Sequence, residues 1–219
     1  MSQDPYAFIS PSAVAPTGGH RPQLRSPIEH AHVAAGASIE EQDGWRVAAY
    51  EGERGDAWLA DLSHLGKLDL RGSQAELDDL TGRLPAGGAR EAGDAWLARI
   101  TPTHGYLVCP FGSVAATRER IGTAAIDVTS GMACVALGGP AWREVWMRSS
   151  GVDAREASFP AGRCLAASVM RVPTVAINQG EQVLMLVGWE FGEYFWEAIL
   201  DAGVTLGITP VSAGVEATV

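Results

Sequence analysis

The sequence predicts an α+β fold made of two related halves with mostly antiparallel sheets. Strand-like and helix-like segments alternate along the 219 residues, and one short pattern occurs twice: ADLS at residues 60–63 and IDVT at residues 126–129. Asp127 lies 66 residues after Asp61 (127 − 61), and Gly138 lies the same distance after Gly72. Two copies are too few for a solenoid. We therefore expect two strand-strand-helix-strand-strand-helix halves that pack through their sheets.

Helix-start signals locate the helices of both halves. The segment SPIE at residues 26–29 predicts a helix capped by Ser26 with a capping box closed by Glu29, and SQAE at residues 73–76 predicts a second box. Further helices are predicted at residues 113–121, from residue 139 onward and at residues 189–202.

Apolar runs and alternation predict strands at residues 45–50, 65–70, 94–100, 104–110, 163–170, 172–178 and 182–188. Residues 82–93 contain four glycines and a proline, so we expect a loop there. The expected organisation is a flexible N-terminal tail (1–25), a first half (26–122), a second half (123–210) and a C-terminal tail (211–219).

The overall charge argues against nucleic acid as a partner. Sixteen Lys and Arg face 26 Asp and Glu, which gives a formal net charge of −10 and repulsion from phosphate backbones. No apolar run reaches the length of a membrane span or a signal peptide, so a cytoplasmic protein without membrane contact is expected. The three cysteines form no CxxC pair and are expected to be buried thiols.

The residue patterns indicate neither a catalytic residue nor a metal site. Asp61, Ser63 and His64 resemble a nucleophile set, but on a strand His64 points away from the other two. We expect instead a strand-end turn in which Asp and Ser bind the backbone. His30 and His32 are two residues apart on a helix and do not face together. No GxGxxG follows a strand, so any flavin is expected only in a partner subunit.

Several short motifs resemble known families. The segments SPIEHAH at residues 26–32 and ADLSHLGKL at residues 60–68 resemble the glycine-cleavage T-protein family of folate-binding aminomethyltransferases. LRG at 70–72, LP at 84–85 and YLVCP at 106–110 resemble the sarcosine oxidase gamma subunit family, and LGGPA at 137–141 and FPAG at 159–162 resemble both families. The resemblance extends over residues 26–203 and implies a fold like the aminomethyltransferase folate-binding domain. The one-carbon-transfer Asp of the T-protein family has no match between Gly72 and Gly122.

The resemblance also suggests residues that contact a cofactor. The family's pterin-binding turn ends in Gly-Glu, and INQGE at residues 177–181 retains these two residues. Glu181 is therefore a candidate for holding the pterin of tetrahydrofolate, because a carboxylate matches two parallel N–H donors. The alternative is an exposed Glu in a hairpin turn. Asn178 from the same turn, together with Tyr50 and His64, completes the set of candidate cofactor-binding residues.

The function that the resemblance implies is an accessory, gamma-type subunit of a tetrahydrofolate-linked oxidase that demethylates a small N-methyl amine. Its expected partners are flavin-containing oxidase subunits. A stand-alone tetrahydrofolate-dependent aminomethyl- or methyltransferase, and a non-catalytic folate-binding protein, are the alternatives. The sequence leaves open the amine, the binding of folate, catalysis by the chain alone and the oligomeric state.

Overall fold

The structure is a computed structural model, and it describes residues 23–213. The two predicted tails fall largely outside this range, at residues 1–22 and 214–219. The α-helices within the described range are α1 (Glu29–Ala34), α2 (Gln74–Thr81), α3 (Val114–Ile121), α4 (Trp142–Ser149) and α5 (Gly192–Gly203). Short 3-10 turns at Phe111–Ser113 and Trp189–Phe191 lead into α3 and α5.

The strands within the same range follow the predicted order, with additions. They are β1 (Leu24–Arg25), β2 (Ser38–Gln42), β3 (Trp45–Ala49), β4 (Ala57–Asp61), β5 (Gly66–Arg71), β6 (Gly88–Ala92), β7 (Ala95–Thr101), β8 (His104–Cys109), β9 (Ala125–Asp127), β10 (Met132–Gly138), β11 (Arg163–Val169), β12 (Val172–Asn178), β13 (Gln182–Gly188) and β14 (Ile208–Val211).

The main sheet has the duplication built into its strand order. The order is β14-β4-β10-β13-β12-β11-β6-β7-β8-β5-β9, which is a near palindrome about the contact between β11 and β6. The first strand of each half is exchanged, because β4 pairs with β10 and β9 pairs with β5. Two pairings, β14 with β4 and β1 with β3, are parallel, and the others in the described range are antiparallel. The predicted α+β class with mostly antiparallel sheets is confirmed.

Three apolar cores give the molecule a helix–sheet–sheet–helix arrangement. One core lies between the second half's strands and α1, α4 and α5, and another lies between the first half's strands and α2 and α3. The central core fills the space between the two parts of the sheet with side chains such as Trp58, Trp96 and Leu184. A separate three-stranded sheet, β1-β3-β2, lies beside them.

Two local predictions are wrong, and both failures have a non-local cause. The N-cap residue of α1 is Ile28, without a side-chain cap, and not Ser26. The Ser26 hydroxyl accepts from the Ile28 N–H at 3.0 Å and donates to Asp61, 35 residues away. Residues 88–92 were predicted as loop but form β6, which pairs with β7 and contacts β11. The first half therefore contains a strand where a loop was predicted. The capping box of Ser73 and Glu76 is confirmed.

Candidate functional site

A cavity of about 650 Å³ lies where β4 begins and β10 ends, next to the turn between β12 and β13. Its volume is within the range of small-molecule sites. The lining residues combine aromatic, charged and amide side chains: Arg54, Trp58, Glu91, Trp96, Gly139, Pro140, Trp142, Arg143, Gln179, Glu181 and Gln182.

The walls of the cavity are aromatic rings with guanidinium groups stacked on two of them. Cζ of Arg54 is 5.3 Å from the ring centre of Trp58, and Cζ of Arg143 is 4.4 Å from that of Trp142. Such cation–π contacts hold planar groups against each other. Gly138 makes room for one wall, since a Cβ there would lie 2.2 Å from the Trp58 ring. The cavity therefore has flat surfaces suited to a planar ligand.

The turn that carries Glu181 is shaped by Asn178. The buried Asn178 side chain donates to the carbonyl of Phe159 at 2.6 Å and accepts from the Gly180 N–H at 2.7 Å. Gly180 has a φ of 100°, which an L side chain rarely adopts. Glu181 follows, exposed and on the cavity lining. Asn178 thus acts on the site through the backbone of the turn.

The structure does not bring the four predicted cofactor residues into one cavity. Glu181 lines the cavity described above, whereas Tyr50 lines a separate depression of about 350 Å³ between β2, β3 and residues 212–213. His64 and Asn178 are buried. Sequence reasoning also missed the cavity's aromatic walls, because Trp58, Trp96 and Trp142 are far apart along the chain.

A buried polar network joins the N-terminal helix to the sheet. Asp61 Oδ2 accepts hydrogen bonds from Ser26 Oγ and from His32 Nε2, the latter at 2.9 Å, and Oδ1 accepts from the Ser63 N–H at 2.9 Å. Nδ1 of His32 lies 2.7 Å from the Tyr50 hydroxyl. The predicted backbone-binding turn at Asp61 is present, but the sequence did not indicate that it meets α1.

The network shifts the pKa values of its acids in opposite directions. Burial alone would raise the pKa of Asp61, but the hydrogen bonds from His32, Ser26 and Ser63 outweigh it and lower that pKa. Burial, with the nearby Asp61 charge, raises the pKa of Tyr50 to about 12. Asp61 is therefore held as the anion and Tyr50 as the neutral phenol.

A second set of buried titratable groups lies beside this network. Lys67 is fully buried, its Nζ donates to the Ser63 carbonyl at 2.7 Å, and burial lowers its pKa to about 8. Burial also lowers the pKa of His64, against the pull of Asp61. Among the described side chains, Nδ1 of His64 and Nε1 of Trp45 are buried without a hydrogen-bond partner.

The cysteine thiols and possible metal ligands are the remaining candidate groups. The three cysteines are buried and free, as expected, and burial raises the pKa of each to about 12, so they stay protonated. Within residues 23–213, no group of three or more His, Cys, Asp or Glu side chains is arranged to hold a metal ion. None of the helices in that range combines the length and apolar character needed to cross a membrane.

Solved structures with this fold include the following two. A chain of the heterotetrameric sarcosine oxidase from Corynebacterium sp. U-96, in complex with pyrrole 2-carboxylate, matches with a TM-score of 0.63 and 19% identity over 83% of this chain and 95% of that chain. The glycine cleavage system aminomethyltransferase T from Bartonella henselae matches with a TM-score of 0.67 and 18% identity, over 87% of this chain and 60% of that chain. The protein therefore has the aminomethyltransferase-like α+β fold.

The family follows from the sequence itself. The model of the sarcosine oxidase gamma subunit family matches residues 88–205, which is more than half of the chain. The chain belongs to the sarcosine oxidase gamma subunit family. A search of curated proteins found no significant match.

Proposed function

We propose that this chain is the gamma-type accessory subunit of an oxidase complex that demethylates a small N-methyl amine, in contact with flavin-containing subunits. The observation that carries the proposal is the family match over residues 88–205. The similarity to nearly the whole of one chain from a heterotetrameric sarcosine oxidase supports it.

The buried polar groups are better suited to holding the fold together than to turnover. Asp61 accepts three hydrogen bonds from within the chain, and Lys67 donates to a backbone carbonyl. Both residues are almost fully shielded from solvent. Groups saturated in this way are costly to disturb and poorly placed to meet a substrate. An accessory role fits this arrangement.

The finer part of the proposal is that tetrahydrofolate binds in the 650 Å³ cavity. The donor set fits: Glu181 offers a carboxylate to the pterin N–H groups, and the rings of Trp58 and Trp142 offer flat surfaces for stacking. Arg54 adds positive charge beside Trp58, suited to the carboxylates of the folate tail, whereas the Arg143 guanidinium is paired with Glu156 and with the carbonyls of Ala154 and Phe159. Tetrahydrofolate, when bound, supplies an acceptor for the one-carbon unit released by amine oxidation.

Co-expression with flavin-containing sarcosine oxidase subunits tests the subunit role. We expect a stable complex that contains flavin in the other chains and oxidises an N-methyl amine, with loss of activity or stability when this chain is omitted. An oxidase that assembles and turns over equally well without this chain contradicts the proposal.

Titration with tetrahydrofolate, followed by tryptophan fluorescence, tests the folate arm separately, because three Trp side chains line the cavity. We expect saturable binding that Glu181→Ala weakens at least tenfold, about 1.4 kcal/mol. Glu119→Ala, at an exposed Glu on α3, is the matched control. If the folded protein does not bind tetrahydrofolate, the folate proposal is rejected and the proposed subunit role is unaffected.

The presence of two carboxylates in the cavity, Glu91 and Glu181, favours a second candidate. A stand-alone tetrahydrofolate-dependent aminomethyl- or methyltransferase needs an acid or base near its substrate, and either carboxylate could serve. Turnover by the purified chain alone distinguishes it from a non-catalytic folate-binding protein, which binds without turnover.

A further inference from the structure

The duplication supplies an internal comparison between α3 and α5. Each helix follows the last strand of its half, β8 or β13, and each is entered through a 3-10 turn. Val114 and Gly192, the first residues of the two helices, lie 78 residues apart (192 − 114). Positions separated by this interval are equivalent in the two halves, so differences between them are not demanded by the shared fold.

The outward faces of these two helices differ in large side chains. Phe191 and Tyr194 are 39% and 52% exposed, whereas their counterparts by this interval are Ser113 and Ala116. Exposing a phenyl and a phenol side by side costs hydration free energy that the first half avoids with small residues. Aromatic side chains are enriched at protein–protein interfaces, where they act as anchors.

The same face of α5 and its entry turn carries negative charge. Glu190, Glu197 and Asp201 are all exposed, and at spacings of 4, 3 and 4 they share a face with Tyr194. No Lys or Arg lies on α5, while α3 carries Arg118 and Arg120. These three carboxylates form no ion pair within residues 23–213, and together with two aromatic rings they suit a partner surface of opposite charge.

The Tyr194 ring is held in place before any partner arrives. Its hydroxyl donates to the carbonyl of Met170 at 3.2 Å, in the turn between β11 and β12. That turn has two consecutive non-glycine residues at positive φ, Met170 at 48° and Arg171 at 65°. Two-residue hairpin loops favour positive φ at both central residues, so this turn has the geometry expected between β11 and β12. A side chain fixed in advance loses less entropy on binding.

We propose that the α5 face, defined as Glu190, Phe191, Tyr194, Glu197 and Asp201, docks against a neighbouring subunit of the oxidase complex. The partner surface has apolar pockets for the two rings and Lys or Arg side chains opposite the carboxylates. This inference rests on the proposed subunit function and adds which face of the chain forms the interface and which chemistry it meets.

Variants that give α5 the surface of α3 test the proposal in the co-expressed complex. Phe191→Ser with Tyr194→Ala installs the residues that the first half carries at equivalent, solvent-facing positions, so the fold should tolerate them. We expect at least a hundredfold weaker association with the oxidase subunits. Glu197→Lys with Asp201→Lys should weaken association tenfold or more and flatten its dependence on salt.

Two control variants distinguish a specific effect of the α5 face on association from a general loss of structure. Glu119→Lys reverses the charge at the α3 counterpart of Glu197 and should leave association within threefold of wild type. Tyr194→Phe keeps the ring and removes only the bond to Met170, so it should weaken association less than tenfold. Full association of the folded Phe191→Ser, Tyr194→Ala variant overturns the α5 face while the subunit role stands.

Two further outcomes would also overturn the inference. If the wild-type chain does not associate with the oxidase subunits, both the proposed function and the proposed interface on the α5 face are wrong. A purified chain that dimerises through the same residues shows that the occupant of the α5 face is a second copy and not another subunit.

Discussion

The Ser63 hydroxyl accepts a hydrogen bond from the backbone N–H of Cys134 at 3.1 Å, and this bond joins the two halves of the protein. Its counterpart exists on the other side of the duplication, where the Thr129 hydroxyl accepts from the Lys67 N–H at 3.0 Å. The two hydroxyls follow the exchanged strands β4 and β9. Each therefore anchors a strand to the half with which it pairs.

The reciprocal bonds predict matched losses of stability. Ser63→Ala and Thr129→Val each leave a buried N–H without a partner, at a cost of about 1–3 kcal/mol. Thr129→Ser keeps the hydroxyl and should lose less. Urea unfolding monitored by circular dichroism measures these differences, and equal losses for Thr129→Val and Thr129→Ser would assign the effect to packing.

Acid stability should depend on Asp61. Its pKa is lower in the folded protein than in the unfolded chain, so its contribution is present above about pH 4 and is lost as the pH falls through the folded value. Asp61→Asn should cost about 3 kcal/mol at pH 7, because it breaks a buried charged network. Between pH 7 and pH 3 the variant should lose less stability than wild type. Parallel urea midpoints for both proteins across that range would contradict the assignment, and Asp79→Asn on the exposed side of α2 is the control.

Stability in the alkaline range should depend on Lys67, whose charged form is disfavoured by burial in the folded protein. The folded protein releases the Lys67 proton near pH 8, whereas the unfolded chain holds it to about 10.5, so the contribution of Lys67 to stability rises with pH between these values. Lys67→Met removes a buried charge and should be more stable than wild type at pH 7. This advantage should shrink by up to about 3 kcal/mol by pH 10, at about 1.4 kcal/mol per pKa unit.

Measuring the free energy of unfolding of wild type and Lys67→Met at pH 7 and pH 10 tests this prediction. Tyr50 and the cysteine thiols titrate in both proteins, so their contributions cancel when the two proteins are compared. A constant gap between wild type and Lys67→Met across that range would show that the buried amine keeps its ordinary pKa.

The cavity should respond to a single methyl group. Gly138→Ala places a Cβ within 2.2 Å of the Trp58 ring and must displace it, at a cost of about 1–3 kcal/mol. We expect a lower melting temperature and altered tryptophan fluorescence. Gly131→Ala is the matched control, because no atom lies within 4 Å of a Cβ built there. Equal melting temperatures for the two variants would show that Trp58 moves aside freely.

Local sequence signals predicted what local interactions decide. The capping box at Ser73, the strands near residues 163–188 and the Asp-x-Ser/Thr turns each depend on neighbours a few residues away. The Gly-Glu pair likewise located the turn that presents Glu181. The family resemblance agrees with the match to the gamma subunit family.

The sequence by itself determined the α+β class, the duplication and the family, because hydrophobic periodicity, capping and the repeated turn are encoded over short stretches. The tertiary structure alone decided the exchange of β4 and β9, the strand at Gly88–Ala92 and the Ser26–Asp61–His32 network, since each needs partners tens of residues away. It also decided which tryptophans surround the cavity and which aromatic side chains remain on the surface of α5. Burial depends on what packs against a residue, and a strand or helix pattern does not specify that neighbour.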